Sequence, residues 1–185
     1  AQAEPSPRFF HLTSFCLHAA NSVLVLLILS LFFRASWPAF AGALLFALHP
    51  LQVEAVAWIS AQKVLLGSTL ALFGLWQYLV FVTRRDQMSR RKADPKPQYY
   101  LATASYVASM LAWPATAVLP LVASALETIM PRKDTLISPR RPAWPLMLWG
   151  IIAIPFVATA IAMQDADAVA AQTPLWFRPA IAGDA

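Results

Sequence analysis

Three stretches of this chain, residues 11–33, 64–82 and 143–163, contain no Asp, Glu, Lys or Arg. Each is close to the 20 or so apolar residues that a helix needs to cross the hydrocarbon core of a bilayer. In lipid, every backbone N–H and C=O must be satisfied within the protein, so segments of this kind cross as α-helices. Composition agrees: of 185 residues, 59% are hydrophobic and 12% charged, against about a quarter charged in ordinary soluble domains. The expected fold is therefore all-α, a polytopic transmembrane helical bundle.

Fifteen prolines stand against five glycines, a balance that suits broken membrane helices better than a soluble bundle. The apolar run from Pro38 to Leu48 is too short to cross alone. It must continue through LQVEAVAWIS to residue 60, with a break at His49-Pro50. Residues 98–130 are too long for one pass and carry Pro114 and Pro120, so they divide into two passes, 98–112 and 115–130, joined by a tight turn near Trp113-Pro114. About six spans result, at 11–33, 38–60, 64–82, 98–112, 115–130 and 143–163, within a single membrane domain covering 1–185.

Charge placement orients the set. Arg34, the connector 83–97 and the connector 131–142 together hold eleven of the fourteen basic residues. Six alternating passes put all three places on one side, which the positive-inside rule makes cytoplasmic. Arg8, Lys63 and Arg178 fall on the other side, with the tail 164–185 and its Asp165, Asp167 and Asp184. The bias already accounts for the basic connectors, so a nucleic-acid partner is not expected. The expected setting is a bacterial inner membrane, with both termini on the outer, periplasmic face. An outer start at AQAEPSPRFF, with no signal pattern before it, points to a further segment upstream. Cys16 is the single cysteine, so no intrachain disulfide can form.

Ionisable and strongly polar groups at membrane depth are candidates for function. His11, Ser14, His18 and Asn21 recur at steps of three and four, which places them on one stripe of the first helix. The stripe faces either a neighbouring helix, as packing hydrogen bonds, or a cavity that binds a sugar or a polar headgroup. A second constellation is HPLQVEAVAWISAQK, residues 49–63. His49 sits at the break that Pro50 makes by removing a backbone donor. Glu54, Trp58 and Gln62 follow at steps of four, and Lys63 closes the segment on the outer side. Together they could meet an anionic or sugar-bearing group, or Glu54 could pair with Lys63 or His49 and anchor an interfacial helix. His11, His18, His49 and Glu54 lack the short spacing usual for metal ligands, and His18 alone does not argue for a haem or pigment, so no metal or other cofactor is expected.

The segment HPLQVEAVAWISAQKVLLGS, residues 49–68, resembles a signature of GT-C-type glycosyltransferases that carry tetratricopeptide repeats, such as the transmembrane O-mannosyltransferases and their bacterial relatives. Three more stretches are similar to that family's motifs in the same order: HLTSFCLHAANSVLVLLIL at 11–29, SMLAWPATAVLPLVASALE at 109–127 and WFRPAIAGDA at 176–185. The resemblance implies a partial GT-C-like membrane domain. It also implies transfer of a sugar from a polyprenyl-phosphate donor to a hydroxyl on the outer face, with His49, Glu54 and Lys63 as catalytic candidates lining the outer cavity. His11, His18, Asn21, Trp58 and Gln62 would form a polar binding surface.

The departures fall on the catalytic side. Where the family usually has Arg-Lys-Asp after the tryptophan, this chain has Gln62, Lys63 and Val64. Where Ser-Lys-Pro is usual, it has Ala112, Trp113 and Pro114. The family's acidic first outer loop would lie upstream of the residues given, and its repeats are not among them. The expectation is a GT-C-derived accessory or structural subunit, without catalysis of its own, contacting membrane lipids and other transmembrane subunits. Two alternatives stand beside it: a piece of an active glycosyltransferase, and a transporter-like protein, which broken helices with polar groups at mid-depth would allow.

Overall fold

The structure is a computed structural model that describes residues 7–33, 35–86, 96–130 and 143–164. Those residues form seven α-helices, and there is no strand among them. They are α1 (Pro7–Ser30), α2 (Ser36–Leu48), α3 (Leu51–Ala57), α4 (Gln62–Asp86), α5 (Lys96–Ala112), α6 (Leu119–Ile129) and α7 (Trp144–Gln164). Short 3₁₀ turns at Ile59–Ala61 and Pro114–Val118 lead into α4 and α6.

Phe9–Ser30, Gln62–Arg85 and Trp144–Ala162 are each long and apolar enough to cross a membrane. The pair α2 and α3 makes a fourth if it counts as one pass, bent by 59° at its break. The break falls at His49-Pro50, where it was expected. Residues 98–130 also divide where expected, with α5 ending at Ala112 and the 3₁₀ turn starting at Pro114. Both halves are shorter than an ordinary span: α5 has 17 residues, and Pro114–Ile129 is a short apolar helix. Six spans are thus an expectation that goes beyond what helix length establishes.

Two boundaries change. Arg84 and Arg85 lie in the last turn of α4 and Lys96 opens α5, so the connector expected at 83–97 shrinks from both ends. Cations at the C-terminus of α4 also complement the negative end of the helix dipole. Residues 87–95, 131–142 and 165–185 lie outside the described residues, and with them most of the two expected cytoplasmic loops and nearly all of the outer tail.

α4 and α5 form the spine, and small residues decide how. They run antiparallel, with Gly67 against Trp113, Gly74 against Ala102 and Ser105, and Phe81 against Tyr99. Gly67, Ala71 and Gly74 share one face of α4, and Ala102, Ser105 and Ser109 share one face of α5. Small residues let helix backbones approach closely, the main device for helix association where the solvent is as apolar as the side chains. A Cβ added at Gly67 would lie 2.7 Å from Trp113 Cβ, and one at Gly74 would lie 3.1 Å from the Ala102 carbonyl oxygen.

The other helices pack around this pair in alternating directions. α1 runs parallel to α4: Gln62 meets Phe10 and Ser14 at one end, and Ile28 joins the core of α4 at the other. α2 runs back along α1, with Ala47 beside His18 and Gly42 beside Leu29. α6 returns along α4, bringing Met130 to Thr83. α7 starts beside Tyr99 and passes the turn at Pro114–Val118. The buried core is apolar and aromatic, and includes Leu75, Tyr78, Leu79, Tyr106 and Trp149. The outward surface is apolar as well: Leu45, Leu51 and Met147 are 74%, 77% and 65% exposed. In water such a surface would drive aggregation, whereas lipid acyl chains solvate it.

The glycines separate packing from propensity. Gly67→Ala forces Trp113 and the α4–α5 contact apart and should lower stability in detergent by about 1–3 kcal/mol, the usual scale of overpacking. Gly150 has nothing within 4 Å of a built Cβ, so Gly150→Ala should be neutral or stabilise by up to about 1 kcal/mol through helix propensity. At Gly42 the obstacle is the flexible tip of Leu29, so Gly42→Ala should fall near neutral. Unfolding followed by circular dichroism in mild detergent measures all three.

Candidate functional site

The polar seam starts from a missing hydrogen bond. Pro50 has no N–H, so the Phe46 carbonyl lacks its i+4 donor and accepts from the His49 N–H instead, at 3.4 Å. One residue later, the Leu51 N–H turns to His49 Nδ1 at 3.2 Å rather than to the Ala47 carbonyl. The Ala47 carbonyl is left as one of the orphan acceptors that every helix end exposes. His18 supplies the partner: its Nε2 lies 3.1 Å from the Ala47 oxygen. A carbonyl oxygen only accepts, so Nε2 is the ring nitrogen that carries the hydrogen. The imidazole stacks on Phe46, with ring centroids 5.9 Å apart.

Above His18 on the same stripe of α1, Ser14 is 1% exposed, and below it Asn21 is 2% exposed. Gln62, the first residue of α4, reaches across and donates from Nε2 to the Phe10 carbonyl at 2.9 Å and to Ser14 Oγ at 3.4 Å. Ser14, His18, Asn21 and Gln62 thus line a seam between α1 and the helices beside it. Of the two expectations for the stripe, packing hydrogen bonds account for Ser14, Gln62 and one edge of His18. His18 Nδ1 and Asn21 Oδ1 are buried without a partner.

The helix is not continuous across the second constellation. Glu54, Trp58 and Gln62 do not share a helical face, because α3 stops at Ala57, Trp58 is outside any helix and a 3₁₀ turn follows. Spacing by four builds a face only where the helix is continuous. Trp58 is 61% exposed, and His49 and Lys63 are also exposed. Gln62 turns the other way, into the seam. Glu54 sits in the middle of α3, and its side chain lies outside the described residues. His11 is exposed near the start of α1, at the edge of the stripe rather than within the seam.

The aromatic clamp on α7 was not singled out from the sequence. Trp149 is fully buried and stacks on Tyr106 with centroids 4.7 Å apart, beside Tyr78 at 5.2 Å. Its indole Nε1–H donates to Thr103 Oγ1 at 2.9 Å. The Tyr99 hydroxyl donates to the Pro145 carbonyl at 3.2 Å, and that of Tyr106 to the Ala117 carbonyl at 3.3 Å. These are aromatics whose polar tips all find partners, the condition under which Tyr and Trp are buried. The available signal was a tyrosine or tryptophan in the middle of an apolar run, which is common and does not reveal its partner on another helix.

Among the described residues no group of three His, Cys, Asp or Glu side chains could hold a metal ion. Two surface grooves are apolar: one lies between Ile28, Phe32, Leu126 and Ile129, the other along α7 at Gly150, Ala153 and Ile154. Neither contains a candidate acid, base or nucleophile. The contacts that the seam does make among the described residues are hydrogen bonds joining helices. Comparison with protein families, with curated proteins and with solved structures finds no match to this chain.

Gln62 and Lys63 are adjacent but face different surroundings, which makes them a controlled pair. Gln62→Leu removes the side-chain donor to the Phe10 carbonyl and to Ser14 Oγ and should lower stability by about 0.5–1.5 kcal/mol. Lys63→Ala, at an exposed position, should stay within about 0.5 kcal/mol. Paired unfolding curves in one detergent check both.

Proposed function

We propose that this chain is an integral membrane scaffold: a GT-C-derived domain without catalysis of its own that serves as a structural or accessory subunit of a larger membrane assembly. The observation that carries it is the fate of the residues that the resemblance nominates. His49, Trp58 and Lys63 are exposed, while Gln62 and His18 are engaged in tying helices together. Transfer of a sugar from a phosphate-linked donor needs a base and a cation converging on one reacting centre. The loss of charge at Gln62, Val64 and Trp113, relative to the motifs they resemble, removes groups from that side of the protein.

In this proposal the six helical passes alternate across a bacterial inner membrane, with α2 and α3 as one bent pass and both termini on the outer face. The alternating packing directions of α1 to α7 support it. So does the clustering of Arg84, Arg85 and Lys96 at one end of the α4–α5 spine. A fragment of an active glycosyltransferase is the second reading, favoured by the ordered motif resemblance alone.

Two measurements decide. Native mass spectrometry of gently solubilised membranes should find the chain in stoichiometric complex with other transmembrane subunits; recovery as a free chain would sink the accessory role. For topology, a Cys16→Ser background with Lys63→Cys should react with a membrane-impermeant maleimide on intact cells. The same background with Arg85→Cys should react only after the membrane is opened, and the opposite pattern overturns the orientation.

A further inference from the structure

We propose that the groove between α1 and α6 holds an acyl chain of an anionic phospholipid, with the headgroup phosphate against the basic residues at the groove's end. The proposal rests on the membrane setting alone. It is independent of the accessory role and of which face the termini occupy. α1 and α6 both pack on α4 and leave the groove between them. Its walls are Ile28, Leu29, Phe32 and Phe33 on one side and Leu126 and Ile129 on the other, and it encloses about 310 Å³. Ile28 is buried, Leu29, Phe32 and Leu126 are half-buried, and Phe33 and Ile129 are exposed.

The lining decides between the two apolar occupants that a membrane offers, a helix and a lipid chain. Helices associate in lipid through small residues that let backbones approach, as Gly74 does against Ala102 and Ser105. None of the six lining residues is Gly, Ala, Ser or Thr. Branched and aromatic side chains hold a helix backbone away, whereas a flexible chain of methylenes fits the slot between them. Charge then selects the headgroup. Gln62 meets Phe10 and Ser14, and α1 and α4 are parallel with the same rise per residue, so Thr83, 21 residues beyond Gln62, stands about level with residues 31–35. Backbone hydrogen bonds carry the turn after α1 on to Phe33 at that level. Met130, at the end of α6, accepts from Thr83 Oγ1 at 3.8 Å. The two walls and the helix beneath them therefore end together. Within four residues of Phe33, Thr83 and Met130 the sequence carries Arg34, Arg84, Arg85, Arg132 and Lys133, against Asp86, Glu127 and Asp134. Five cations face three anions, and the surplus of two is what an anionic headgroup complements. A neutral lipid or an apolar helix offers nothing to that charge.

Photo-crosslinking tests the site. The full chain is placed in phosphatidylcholine vesicles with a trace of phosphatidylglycerol that carries a diazirine on its acyl chain, and the label is mapped by peptide mass spectrometry. Label should concentrate on residues 28–33 and 126–129. Unlabelled phosphatidylglycerol should displace it, and additional phosphatidylcholine should not. Arg34→Gln and Arg132→Gln should each weaken the affinity read from that displacement about fivefold. Leu126→Trp fills the groove and should abolish its labelling, whereas Ile151→Trp, on the exposed face of α7, should leave the labelling unchanged. Label as heavy on Ile151 and Ile154 as on the groove overturns the proposal, and so does equal displacement by phosphatidylcholine. A groove left unlabelled in the unsubstituted chain overturns it too, and dimers in native mass spectrometry would then name a second copy as the occupant. Labelling and competition on the unsubstituted chain decide the question even where a variant does not fold.

Discussion

The close contact between α4 and α5 is the constraint on which the other helices depend. In lipid there is no hydrophobic force to bring helices together, so association comes from van der Waals packing and hydrogen bonds at short range. Gly67, Ala71 and Gly74 lower the α4 surface along one face, and Ala102, Ser105 and Ser109 do the same for α5. The resulting spine sets the positions of Tyr78, Tyr99 and Tyr106, which meet α7 through Trp149 and Pro145. It also places Gln62 to tie α4 to α1. A shift along this contact would dislodge both the aromatic clamp and the polar seam, because each is built across a different side of the same pair.

The seam itself is a consequence of one proline. Pro50 separates α2 from α3, and the break leaves the Phe46 and Ala47 carbonyls in need of donors. One is satisfied locally by the His49 N–H, the other by His18 from the neighbouring helix. A break of this kind is tolerated at membrane depth because a neighbouring helix supplies the missing donor. The histidine on α1 and the proline after α2 are thus parts of one arrangement, although 32 positions separate them in the chain.

Local chemistry made some of this legible in advance. The break at His49-Pro50 and the turn at Trp113-Pro114 follow from proline's missing donor, and both fall where the sequence places them. The stripe of Ser14, His18 and Asn21 follows from helical periodicity, and these residues do line a protein-facing seam. What periodicity could not show is where a helix stops being continuous. Once α3 ends at Ala57, the spacing of Glu54, Trp58 and Gln62 no longer defines a face, and Gln62 joins α1 instead. The pairing of Trp149 with Tyr106 and Thr103 was illegible for another reason: it depends on the relative height of α5 and α7, which no local pattern encodes.

The seam also bears on what the resembling motifs retain. Polar residues in a transferase cavity serve to polarise a reacting group, which requires lone pairs and protons that the fold leaves unused. In this chain Gln62 gives its amide hydrogens to α1, and His18 gives one to α2, so both are occupied in holding the bundle. His18 Nδ1 and Asn21 Oδ1 remain buried without a partner. A phosphate leaving group needs donors and positive charge, and two lone pairs would repel it. In the accessory-subunit reading proposed above, Gln62 and His18 serve packing, tying α1 to α4 and to α2.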